Sequence, residues 1–151
     1  MADVMAVIKS AVGSFGACVF FGILFHAPRR AIIPAAMTGM IGYMVFSICA
    51  MRGWTPLAAN FLGALTVAVL AETLARIQKT PAVVFSTIGI VPIVPGAGLY
   101  RTMLYLVVED NSMAVTVGAE TGIVSAGIAM AIALVTAITR VLLSEKQAGS
   151  R

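Results

Sequence analysis

Five apolar runs recur along the chain, separated by short connections that hold most of its charge. Residues 10–25, 31–51, 53–71, 81–100 and 121–139 contain no Asp, Glu, Lys or Arg. Each approaches the roughly 20 residues that a helix needs to cross about 30 Å of hydrocarbon at 1.5 Å per residue. The first is shortest and reaches that length with Lys9 snorkelling to the interface. The pattern predicts an all-α, polytopic membrane protein forming a single transmembrane domain over 1–151. Its five transmembrane helices are expected at roughly 7–26, 31–51, 54–74, 81–108 and 117–141, the fourth interrupted by a Pro/Gly break near 92–98.

That break is the strongest local signal. A continuous helix from Pro81 to Val108 would run about 42 Å, longer than the hydrocarbon is thick. Pro92 and Pro95 each remove an amide donor and clash with the preceding turn, and Gly96 and Gly98 loosen the chain further. The expected product is a half-helix over 82–92, an irregular stretch, and a second half-helix starting near Ala97. Backbone freed of its helical bonds inside a bilayer needs partners from protein, ligand or water, and transporters place substrate sites at such points. The second helix start would turn free N–H groups and positive dipole potential toward an occupant, which suits a carboxylate. The competing reading is a proline-kinked helix with no ligand.

Composition agrees with the span pattern: of 151 residues, 60% are hydrophobic and 11% charged, where a soluble domain carries about a quarter. Arg29 and Arg30 sit in the first connection and Arg76 and Lys79 in the third, with Arg140, Lys146 and Arg151 toward the C-terminus. The second connection holds only Arg52, and the fourth holds Glu109 and Asp110. Because cytoplasmic loops collect Lys and Arg, the N-terminus is expected outside and the C-terminus in the cytoplasm. The net charge of +4 then reads as topology and not as nucleic-acid binding. Asp3 opposes Lys9 ahead of the first run, and apolar residues continue through Phe25, so a cleaved leader is not expected. Cys18 and Cys49 read as small packing residues, with no metal pattern and no disulfide framework. Small residues four apart (Ala31, Ala35, Gly39; Ala59, Gly63; Gly118, Gly122, Ala126) predict close helix contacts within the chain or with a partner.

The charges near the spans are candidates for chemistry. Arg101 follows the break and is placed to hold a substrate carboxylate bidentately, or to serve as partner of Glu109, Glu120 or an acid of another subunit. Glu72 lies four residues before Arg76, the spacing of an intrahelical ion pair, and is also a proton-coupling candidate. Glu120 fits either an interfacial position or proton coupling. His26 reads as an interface residue at the first connection, and an imidazole there permits proton sensing. No P-loop, cofactor motif or catalytic nucleophile–base pair is evident, so the chain reads as no enzyme and as needing no cofactor or metal.

The Pro-x-x-Pro-Gly-x-x-x-Tyr pattern of Pro92, Pro95, Gly96 and Tyr100 resembles that of the threonine/serine exporter (ThrE-like) family, and more narrowly its small YjjB-like subunit. Ala27-Pro28-Arg29-Arg30-Ala31 resembles that subunit's Val-Pro-x-Arg-Ala pattern, and the region of Gly39, Gly42 and Tyr43 is similar to its next, glycine-containing stretch. Arg101 stands outside the family pattern. The resemblance implies a multi-pass protein of the bacterial inner membrane: the small subunit of a secondary, proton-coupled exporter of small carboxylates, either threonine/serine or dicarboxylates such as succinate. It also implies a larger ThrE-like partner subunit and hence a hetero-oligomer, two five-span halves being compatible with inverted repeats around a midplane site. Pro92, Pro95, Gly96, Gly98, Tyr100 and Arg101 are then the expected substrate-binding residues. The alternative is a structural subunit that stabilises a complex and never contacts substrate.

Overall fold

The computed structural model describes residues 2–148, with side chains at Met5 and over 7–141; the side chains of Asp3 and Lys146, and Arg151 altogether, lie outside the described part. Its elements are α1 (Ala2–Leu24), α2 (Arg29–Met51), α3 (Pro56–Gln78), α4 (Ala82–Ile90), α5 (Gly96–Val107) and α6 (Asn111–Ala148). Among the described residues, four stretches are long and apolar enough to cross a membrane: Val7–Leu24, Arg29–Met51, Pro56–Gln78 and Asn111–Val141. The expected fourth span is two short helices of 9 and 12 residues, neither of which crosses alone. Helix α6 begins at Asn111, six positions before the expected 117, because Asp110 Oδ1 accepts the Met113 N–H at 3.1 Å and caps it there.

Turn chemistry explains the other boundaries. Thr55 Oγ1 accepts the Ala58 N–H at 3.3 Å, and Pro56 opens α3 where its missing N–H costs nothing. Four helices end in the same left-handed cap, with a bond from the residue after the cap back across the final turn: Ala27 N–H to Gly22 O, Trp54 to Cys49, Thr80 to Ala75 and Asp110 to Tyr105. Among the described residues glycine takes that conformation only at Gly53; His26, Lys79 and Glu109 adopt it with φ of 54°, 51° and 60°.

Small residues set the packing. Gly39 of α2 abuts Cys18 of α1 and Gly89 of α4, and Gly42 abuts Gly63 and Val67 of α3. One core gathers Cys18, Ala31, Ala35, Ala71, Phe85 and Ile88 from α1 to α4. The second joins Ala64, Val67, Ile93, Val124, Ile128 and Ala131, so that Ile93 plugs the break into the α3–α6 seam. Helix α4 therefore packs on α1, α2 and α3, whereas among the described residues α5 packs on α6 alone and has no buried residue.

The register shows where the broken segment goes. Ala82 and Val83 lie beside Ala71 and Glu72, Ile93 lies beside Gly63, and Pro95 and Gly98 share a cavity with Asn60 and Thr55. The chain thus runs along α3 from its C-terminal to its N-terminal end and does not double back. Helix α6 then returns antiparallel to α5, with Thr121 on Gly98 and Gly118 on Thr102.

Candidate functional site

At the break the backbone reorganises around the two prolines. Pro92 carries no N–H, so the Ile88 carbonyl loses its helical donor. Two substitutes reach it: the Val91 N–H at 3.4 Å and, from another helix, the Cys18 thiol at 3.3 Å. The Ile93 and Val94 N–H groups both turn back to Ile90 O, at 2.9 and 3.2 Å. Pro95 then sits at φ −76°, ψ 59°, the geometry of an inverse γ-turn, and the Gly96 N–H closes it on Val94 O at 2.7 Å. The Gly98 and Leu99 N–H groups both bond Pro95 O, at 3.1 and 3.2 Å. Of the N–H groups expected to be free, that of Gly96 is thus turned inward on Val94 O by the γ-turn, while Gly98 and Leu99 bond the cap carbonyl as at an ordinary helix start.

Beside the break lies a cavity of about 450 Å³ between α5, the start of α3 and the first third of α6. Its chemistry comes from Arg101 on α5, Asn60 on α3 and Glu120 and Thr121 on α6, with Pro95 and Gly98 as backbone lining. The volume lies within the range of small-molecule sites, roughly 300–1,000 Å³. Arg101 and Glu120 are exposed and are not joined in an ion pair. Asn60 is buried and donates from Nδ2 to Pro56 O at 2.7 Å; no described residue donates to its Oδ1. Thr121, also buried, donates its hydroxyl to Val117 O at 2.7 Å and keeps lone pairs for an incoming donor. The cavity thus presents a cation, an anion and neutral acceptors within one small volume.

Of the residues named from sequence, Pro95, Gly98, Arg101 and Glu120 come together here. Pro92 is half-buried in the turn, Gly96 faces open space, and Tyr100, 67% exposed, does not line the cavity. Glu72 lies three turns farther along α3 and makes no ion pair with Arg76, despite the i, i+4 spacing. Asn60 and Thr121 were not foreseen. Asn60 had a signal, being the lone carboxamide in the uncharged run 53–71, where a polar group is costly unless satisfied. Thr121 had none, since a threonine at the head of an apolar run looks like any helix residue. Cys18 and Cys49 are free thiols, and no cluster of metal-ligating side chains occurs among the described residues.

A family profile described as "Threonine/Serine exporter, ThrE" matches residues 10–138. A protein of Mycobacterium tuberculosis (strain ATCC 25618 / H37Rv) named "Probable threonine/serine exporter" is 27% identical over 89 residues, covering 59% of this chain and 17% of that protein. The match thus spans about a sixth of the relative's length. No solved structure matches.

Proposed function

This chain belongs to the threonine/serine exporter (ThrE) family, and we propose that it is a transport subunit, not an enzyme, whose cavity beside the broken helix binds a small amino-acid zwitterion. The observation that carries the reading is the pairing of Arg101 and Glu120 across one cavity without a direct ion pair. A substrate with one carboxylate and one ammonium satisfies both: the guanidinium takes the carboxylate in a bidentate bond, and Glu120 takes the ammonium. Asn60 Oδ1 and the Thr121 oxygen are then available to the hydroxyl of threonine or serine. Glu120 disfavours a dicarboxylate such as succinate, whose second carboxylate would face a like charge, so the amino acid is the preferred substrate.

The same geometry supports the remaining parts of the reading. Helices α4 and α5 act together as the fourth, broken crossing element, since they advance along α3 in one direction. Arg29, Arg30, Arg76 and Lys79 gather at one end, which favours the cytoplasm there, the N-terminus outside and a bacterial inner membrane as the setting. Glu120, in contact with the substrate cavity, is the first candidate for proton coupling, with Glu72 the second. Helix α5 lies against α6 alone, which leaves its outer face, including Tyr100, for a larger ThrE-like subunit.

The test is export of labelled threonine by cells carrying Arg101→Gln or Glu120→Gln. Each is expected to lower export at least tenfold while the protein remains at wild-type abundance in the membrane. Wild-type export by both variants removes substrate binding from this cavity. Lost abundance, with normal export per molecule, favours the structural subunit instead.

A further inference from the structure

We propose that the other end of the α3–α6 seam holds a second binding site for the same zwitterion, so that substrate is held in two places along one path; this rests on the substrate reading above. Two crevices, each of about 290 Å³, flank Glu72. One lies between α3 and α6 and is lined by Val69, Glu72, Thr73, Arg76 and Thr139 among others. The other lies among α3, α4 and α6, where Glu72 meets Ser86, Thr136, Thr139 and Arg140. The charged groups facing this place are Glu72 and Arg76 from α3 and Arg140 from α6; α4 contributes none.

The chemistry repeats that of the first cavity. A carboxylate stands with arginines in shared crevices, and it forms an ion pair with neither. Thr136 and Thr139 make no hydrogen bond to a described residue. Thr73 and Ser86 spend their protons on Val69 O at 2.8 Å and Val83 O at 3.2 Å, which leaves oxygen lone pairs for an incoming ammonium. Charges at the edge of the hydrocarbon are costly without counter-ions, and a zwitterion supplies both. Its carboxylate fits Arg140 or Arg76, and its ammonium fits Glu72.

The two places lie on one line. Asn60 and Glu72 are twelve positions apart on α3, about 18 Å along the axis. Between them the seam is closed by Val67, Ile93 and Ile128, all buried. Ile93 belongs to the break itself, so the segment that shapes the first cavity also plugs the route to the second.

Cysteine protection in permeabilised membranes of the native host separates the outcomes. Val117→Cys reports the first cavity and Thr139→Cys the second, each labelled with a small cationic methanethiosulfonate with and without saturating L-threonine. Threonine is expected to slow labelling at both positions at least threefold. Glu72→Gln or Arg140→Gln is expected to abolish protection only at 139, and Arg101→Gln only at 117. Protection at 117 without protection at 139 overturns the second site and leaves the first standing. Protection at 139 that vanishes with Arg101→Gln reports closure of the helices and also overturns it. Protection at neither position removes the substrate reading together with this one.

Discussion

Replacing Gly89 with alanine tests how tightly α4 is held. A Cβ there would stand 2.6 Å from Thr38 Oγ1, 2.9 Å from Val67 Cγ1 and 3.4 Å from Gly39 N. The first two are below any relaxed contact, so something must move. Val67 is fully buried, and Thr38, 1% exposed, is tied by its hydroxyl to Ala35 O at 2.7 Å. Overpacking of this kind costs about 1–3 kcal/mol. Turning Thr38 away forfeits its hydrogen bond, about 1 kcal/mol more. The better helix propensity of alanine returns up to about 1 kcal/mol. Steric crowding wins, and the net loss is about 2 kcal/mol, a fall in Tm of about 4–8 °C by the scaling of small domains. The assay is thermal unfolding of the purified chain in detergent, completed as a cycle with Thr38→Ala. Removing the Thr38 side chain vacates the nearest obstacle, so the double variant should recover about 1–2 kcal/mol relative to additivity. A Gly89→Ala Tm within about 1 °C of wild type, or a strictly additive double variant, refutes the claim that α4 is clamped here.

Lys79→Gly should raise stability by about 0.5–1 kcal/mol, because lysine is strained at φ 51° whereas glycine is not; an unchanged or lower Tm contradicts this. Cys18→Ser keeps a donor for Ile88 O whereas Cys18→Ala removes it, so the alanine variant should melt lower by about 1 kcal/mol relative to serine. Equal melting of the two would show that the thiol is only a space-filler. Ile93→Ala should cost about 2–5 kcal/mol, since the side chain is 3% exposed and plugs the second core. Val94→Ala, at a position 45% exposed, is the neighbouring control and should cost far less in the same unfolding assay.

The sequence was most informative where the bilayer leaves few choices. Long uncharged runs locate α1, α2, α3 and α6, and two prolines three residues apart locate the break, because both signals are local and strong. What escaped depends on residues far apart in the chain. Nothing local says that Cys18 supplies a donor 70 positions away, or that Asn60, Arg101 and Glu120 border one space. The γ-turn at Pro95 was also hidden, since the same Pro-Gly pair is compatible with an open helix start. The i, i+4 spacing of Glu72 and Arg76 misled for a related reason: spacing permits a pair, but side-chain direction decides whether it forms.

The asymmetry of the two half-helices has a mechanical meaning. Helix α4 is wedged among three neighbours, with Phe85 and Ile88 out of reach of solvent, while α5 leans on a single helix. Stiffness therefore drops abruptly at Pro95. Force applied to α5 reaches the α1–α4 body through α6, which packs on α3, and through the break that joins α5 to α4. Of the cavity's walls, the one carrying Arg101 is the compliant one and the one carrying Asn60 is the rigid one.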